Sequence, residues 1–308
     1  MHWVTYHSSA DDADHPGLLK DGQVYGARGK AALIDLIDDN DVLAAAAEQA
    51  QANPLEVIPV DHAELLSPIP VPPSIRDFMA FEEHVLNARL DKESLIQPIW
   101  YNQPVFYFSN PAAVRGPRED IEISPGSSMF DYEMEIGAVI GKPGRDLTPE
   151  EAEAHIAGYM LLCDWSARDL QGCEMKMGLG PAKGKDGATS LGPALVTPDE
   201  LEPFRERKGY RLSLSTSVNG TPYSKGNWST IHWSFAQMIS FASRGTTVRT
   251  GDVIGSGTVG SGCILELSVV HGPDTYPWLK PGDDVRIECD QLGVLTGHIV
   301  EGSEPAPL

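Results

Sequence analysis

The sequence predicts an α+β protein, mostly β, with a small N-terminal α/β unit ahead of a larger main unit. Three observations carry this. Strand-like runs with two-residue alternation or continuous apolar character recur at residues 104–108, 130–141, 159–163 and 212–218. Helical patterns are fewer, with 31–51 and 230–243 the clearest. The stretch Leu66-Ser67-Pro68-Ile69-Pro70-Val71-Pro72-Pro73-Ser74 is extended by its four prolines and marks a boundary. The expectation is a cap or dimerisation unit over 1–70 and the main unit over 71–308.

In the first unit, residues 3–6 and 24–27 read as strands on either side of the acidic loop Asp11-Asp12-Ala13-Asp14. Residues 31–51 read as an amphipathic helix stopped by Asn53-Pro54. Past the prolines, 75–85 reads as a helix with Asp77 and His84 on one face, since seven residues make about two turns. Asn110-Pro111 ends the strand at 104–108. Thr148-Pro149-Glu150-Glu151 carries a helix start, with Thr as N-cap, Pro at the first position and Glu at the third. Residues 159–163 form a buried strand that delivers Asp164 at its end. Asn219-Gly220 closes a hairpin after 212–218. The helix at 230–243 ends with Gly245 as its C-cap. Residues 263–270 read as a strand, and 285–288 as the last strand.

Composition excludes some functions. The 308 residues carry a formal net charge of −21. That argues against nucleic acid and against anionic membrane surfaces. No apolar run approaches the roughly 20 residues of a membrane span. The start Met1-His2-Trp3 has no basic segment leading into an apolar run, so no secretory signal is expected. Cys163, Cys173, Cys263 and Cys289 form no CxxC pair and are expected as free thiols in a reducing cytoplasm.

The chemistry centres on residues 130–141. Met134, Ile136, Ala138 and Ile140 point one way, into a core, while Glu133, Glu135, Gly137 and Val139 point the other. Two glutamates two residues apart on one strand stand about 7 Å apart. On an apolar strand their repulsion and desolvation are unfavourable unless a divalent cation compensates. An exposed edge strand with a solvated acidic face explains the pattern equally well. His84 beside Glu82 and Glu83 fits a solvated helix surface, and Asp164 fits a helix N-cap as well as a ligand. Gly255-Ser256-Gly257-Thr258-Val259-Gly260 matches GxGxxG, but a dinucleotide site needs a helix after it, where a strand is expected. Glu266, inside that apolar run, is costly unless paired.

Together these segments resemble the fumarylacetoacetate hydrolase superfamily. The resemblance rests on Asp131-Tyr132-Glu133-Met134-Glu135, Cys163-Asp164-Trp165-Ser166-Ala167-Arg168-Asp169-Leu170-Gln171, Gly184-Lys185, Asn227-Trp228, Gly251-Asp252, Gly255-Ser256-Gly257-Thr258, Leu265-Glu266-Leu267 and Leu279-Lys280-Pro281-Gly282-Asp283, in the family's order. It implies a mixed β-roll catalytic domain, a homodimer, and a site for Mg²⁺ or Mn²⁺, with Ca²⁺ in some members, on Glu133, Glu135 and Asp164, with Asp77 as a further acidic ligand. It implies His84 as the catalytic histidine. Lid-type members carry a Glu three residues later, where this chain has Asn87; hydrolase-type members use the Glu that matches Glu266, with Glu83 a weaker local candidate. Lys185, Tyr107, Gln171, Arg168 and Thr258 match positions at the substrate. Met79 replaces a substrate-contacting Tyr of the hydrolases proper, and residues 90–94 lack their Arg, which argues against fumarylacetoacetate itself.

The resemblance thus implies a hydrolase that cleaves a C–C bond in a small anionic 1,3-dicarbonyl acid, such as an acylpyruvate, with water activated by His84 and Glu266. The same scaffold leaves open a decarboxylase, hydratase or isomerase of a 2-oxo acid, and a silent metal-binding homologue. The loop over 86–97 and the N-terminal unit are expected to read the substrate's tail.

Overall fold

A computed structural model describes residues 1–88 and 96–307. Most of the loop expected to read the substrate tail therefore lies outside the described residues. Among the described residues, twelve strands form one mixed sheet. Its main path runs Val57–Pro59, Gln23–Gly26, Ala13–Lys20, His2–Ser8, Thr189–Val196, Ile156–Asp164, Met134–Ile140, Val253–Gly255, Ile75–Phe78 and Phe106–Ser109. His2–Ser8 pairs antiparallel with Thr189–Val196, so the N-terminal strands continue the main sheet. A second, five-stranded sheet is built from Thr221–Asn227, Ser213–Val218, Asp284–Cys289, Gly293–Val300 and Asp120–Glu122.

The strand Met134–Ile140 lies inside the large sheet, paired on both sides. Met134, Ile136, Ala138 and Ile140 enter the main core with Leu161, Cys163 and Trp228. Val139, on the opposite face, joins a second core with Trp3, Leu43 and Leu195. Every residue of the strand is buried, so the exposed-edge explanation of the glutamates is wrong. Cross-strand packing on both faces of a central strand removes the solvated face that alternation alone allows.

Local signals placed several elements. Thr148 accepts from Glu151 N and Glu151 accepts from Thr148 N, a capping box ahead of Pro149–Glu153. Asn219 and Gly220 both have positive φ and join Ser213–Val218 to Thr221–Asn227. Ile156–Asp164 ends on Asp164.

Five expectations are corrected. Residues 75–85 are not one helix: Ile75–Phe78 is a strand held between Val253–Gly255 and Phe106–Ser109, and only Glu82–Asn87 is helical. Residues 31–51 split into a turn at Leu33–Asp35 and a helix Asn40–Ala52, capped by the Asp39 carboxylate. The helix expected from residue 230 begins after the Ser234 cap, as Phe235–Ala242. Residues 264–271 form a helix, Ile264–His271, not a strand, and Gly293–Val300 adds a strand beyond the one expected to be last.

A helix therefore does follow the glycine run, yet no pyrophosphate fits there. The amides of Ile264 and Leu265 donate to the buried Asp131 carboxylate at 2.7 and 3.0 Å, which occupies the anion position at that helix start. The glycines serve close packing instead. Gly257 has φ +73, and a Cβ there would meet Phe78 O at 2.3 Å. A Cβ on Gly255 would meet Asp77 Oδ1 at 2.3 Å. Gly257→Ala is expected to cost roughly 2–3 kcal/mol of stability. An unchanged thermal midpoint would contradict this packing.

Candidate active site

The strand ends and loops converge on a cavity of about 340 Å³. Asp77 reaches it from Ile75–Phe78, Tyr107 from Phe106–Ser109, and Glu133 and Glu135 from the central strand and its approach. Lys185 enters on the turn Lys183–Lys185, and His84 on the helix Glu82–Asn87. Asp77 and His84 thus share a cavity although they do not share a helix.

One carboxylate oxygen from each of Asp77, Glu133 and Glu135 lies within 4.8 Å of the others, and all three residues are buried. Asp164 stands behind them, holding Lys185 Nζ at 2.6 Å and accepting from the Tyr107 hydroxyl. Lys185 also reaches Glu133 and donates to Ser166 Oγ at 2.7 Å. Glu133 is paired at 2.8 Å with Arg168, whose guanidinium also donates to Asp131 at 2.8 Å and to Gln171 Oε1 at 3.1 Å.

Charge is unevenly shared. Burial raises Glu133, but Lys185 and Arg168 outweigh it and hold its carboxyl well below the usual range. Burial, with Asp77 and Glu133 nearby, pushes Glu135 far up. Asp164 is pushed up to about 7 by burial, which Lys185 only partly offsets. Burial also raises Asp77. Both oxygens of Glu135 and Oδ1 of Asp164 are buried with no hydrogen-bond partner among the described residues. Unpaired buried carboxylate oxygens are costly. A hard divalent cation takes such all-oxygen donors, so the donor set fits one on Glu133, Glu135 and Asp77, with Asp164 alongside.

The second cluster is a dyad. His84 Nδ1 donates to Glu266 Oε1 at 2.8 Å. Glu266 is fully buried and accepts from Gly262 N at 3.1 Å, Ser261 N at 2.8 Å and Asn87 Nδ2 at 3.2 Å. Those donors fix the carboxylate, which fixes the imidazole and leaves Nε2 for the cavity. Glu83 instead accepts from Ser261 Oγ.

Thr258 and Gln171 line the cavity, and the buried Thr258 hydroxyl has no partner among the described residues. Arg168 pairs with Glu133 and with the lining Gln171 and does not itself line the cavity. Two supporting residues went unread in the sequence. Asn87 counted there only as a missing Glu, and Asp131 only as part of a motif.

Comparison with known proteins adds the following. The family model described as fumarylacetoacetate (FAA) hydrolase C-terminal matches residues 74–300. The human mitochondrial oxaloacetate tautomerase FAHD2A is 28% identical over 275 residues, covering 87% of this chain and 79% of that protein. The fumarylacetoacetase of Arabidopsis thaliana is 29% identical over 288 residues, covering 73% and 68%. The fumarylacetoacetate hydrolase of Exiguobacterium antarcticum superposes with a TM-score of 0.74 at 26% identity, over 98% of this chain and 100% of that one.

Proposed function

The chain belongs to the fumarylacetoacetate hydrolase family, and from that premise we propose that it hydrolyses a C–C bond in a small anionic 1,3-dicarbonyl acid of the acylpyruvate class. The observation that carries the reading is the 2.8 Å His84–Glu266 pair opening onto the same cavity as the buried carboxylates. A Mg²⁺ or Mn²⁺ ion held by Glu133, Glu135, Asp77 and Asp164 would supply Lewis-acid polarisation and enolate stabilisation there. Through Nε2, His84 takes a proton from water while Glu266 holds its tautomer. The resulting hydroxide adds to the acyl carbonyl carbon. The bond from that carbon to the CH₂ group breaks, and its electron pair leaves as the enolate of pyruvate. The proton taken by His84 ends on the CH₂ carbon, giving a carboxylic acid and pyruvate. Lys185 keeps positive charge beside the developing enolate, because Asp164 and Glu133 outweigh the effect of its burial. The proposal includes a cytoplasmic homodimer, which sedimentation tests for its oligomeric part.

A second reading has its own support, since the tautomerase relatives align over most of this chain. One experiment separates the two: an acylpyruvate and enol-oxaloacetate supplied to the same Mn²⁺-loaded protein. Pyruvate plus a carboxylic acid from the acylpyruvate is the expected result. Accelerated loss of the oxaloacetate enol, with the acylpyruvate untouched, would replace hydrolysis by tautomerisation.

The cation also has a stability signature. Asp164 stands near 7 in the folded chain against an ordinary 3.8. Between those values the folded state holds the extra proton. Its stabilisation is therefore full below about pH 4 and is lost as pH rises through about 7. A cation replaces that proton. Mn²⁺ at one fixed concentration, a hundredfold above its Kd at pH 8, is expected to raise the thermal midpoint by roughly 5 °C at pH 8 and by less at pH 5. An equal or larger gain at pH 5 would contradict the carboxylate site.

A further inference from the structure

Away from the carboxylates and the polar groups of His84, Tyr107, Gln171 and Thr258, one part of the described cavity wall is apolar. It is formed by Met79, Val105, Phe106, Met175, Leu179 and Pro181. Lys185 is the only Lys or Arg among the described lining residues, and it is occupied by Glu133, Asp164 and Ser166. The next basic side chains along the chain, Lys176 and Lys183, do not line the cavity, and Lys183 is paired with Asp186. The protein as a whole carries −21, so no long-range attraction offsets this wall.

We propose that this wall selects an uncharged, apolar acyl tail and rejects a tail that ends in a second carboxylate. The inference rests on the acylpyruvate reading, in which the 2-oxo acid end occupies the carboxylate and Lys185 side and the acyl group points to the opposite wall. A terminal carboxylate there gives up water for methyl, methylene and ring surface, and among the described lining residues it meets no Lys or Arg other than the occupied Lys185. An alkyl tail of the same length gains contact with that surface. Thioethers such as Met79 and Met175 adapt to varied apolar shapes, so the wall fits a range of chain lengths rather than one.

The test is calorimetric binding to Mn²⁺-loaded His84→Ala protein, in which turnover is suppressed. The probes are two acylpyruvates of equal length, one ending in a methyl group and one in a carboxylate. The methyl-ended compound is expected to bind about tenfold tighter or more. Equal affinity, or tighter binding of the carboxylate-ended compound, overturns the inference. Leu179 is 94% exposed, so Leu179→Arg places a cation on the wall without disturbing a core. It is expected to shrink the preference severalfold or reverse it, and an unchanged ratio would mean that the tail does not reach this wall. If wild type cleaves neither compound while the binding preference holds, the hydrolase reading fails and the apolar-tail assignment stands.

Discussion

His84→Ala is expected to lower kcat/KM on an acylpyruvate by about 10²-fold or more, the usual scale for loss of a general base. Its Mn²⁺ affinity and thermal midpoint should stay close to wild type. The separation follows from geometry. His84 bonds Glu266 and stands at the cavity wall, but it gives no atom to the Asp77, Glu133 and Glu135 cluster. Glu266 keeps four other donors when the imidazole is gone, from Gly262, Ser261, Asn87 and the Cys263 thiol. The local structure therefore survives while proton transfer does not. Glu266→Gln should reproduce most of the rate loss, because the neutral amide holds the imidazolium less well. Wild-type turnover in His84→Ala would remove the dyad from the reaction.

Glu135→Gln is expected to weaken Mn²⁺ binding by about 10²-fold or more and to abolish activity at ordinary metal concentrations. Glu135 is the most telling position because both its oxygens are buried and without a hydrogen-bond partner among the described residues, and because burial with Asp77 and Glu133 nearby holds its carboxyl far above the usual range. In the metal-free protein the neutral amide removes the cost of burying either a repelled carboxylate or the proton that suppresses its charge. The metal-free variant should accordingly be at least as stable as metal-free wild type at pH 8, while gaining less from Mn²⁺. A residue that merely braced the fold would behave in the opposite way, losing stability with and without metal. Full metal content together with full activity in Glu135→Gln would end the carboxylate assignment.

What the sequence disclosed was what local chemistry decides. The Thr148 capping box, the Asn219-Gly220 hairpin and the apolar run that ends on Asp164 are each written within a few residues. Alternation placed Met134, Ile136, Ala138 and Ile140 in the core but could not say what covers the other face, since that cover includes Trp3 and Leu43 from far away in the chain. The strand at Asp77 and the helix at Glu266 were misread for the same reason. Ile75–Phe78 is a strand because Val253–Gly255 and Phe106–Ser109 pair with it. Ile264–His271 is a short apolar stretch whose period does not separate helix from strand. Its N-terminal amides are held by Asp131, 133 residues earlier. At the site, the ordered set of motifs pointed to the cavity residues, whereas the placement of Arg168 behind Glu133 and of Asn87 on Glu266 depends on contacts that no spacing encodes.

The central claim is that these carboxylates and the His84–Glu266 pair together cleave a carbon–carbon bond. Its most direct test is turnover of an acylpyruvate by metal-stripped protein before and after Mn²⁺ is added back, with products quantified. The account predicts no cleavage without metal and, on add-back, loss of the diketone absorbance with one pyruvate and one carboxylic acid formed per molecule consumed. Cleavage at full rate without metal, or no cleavage when the carboxylate site is loaded, would contradict it.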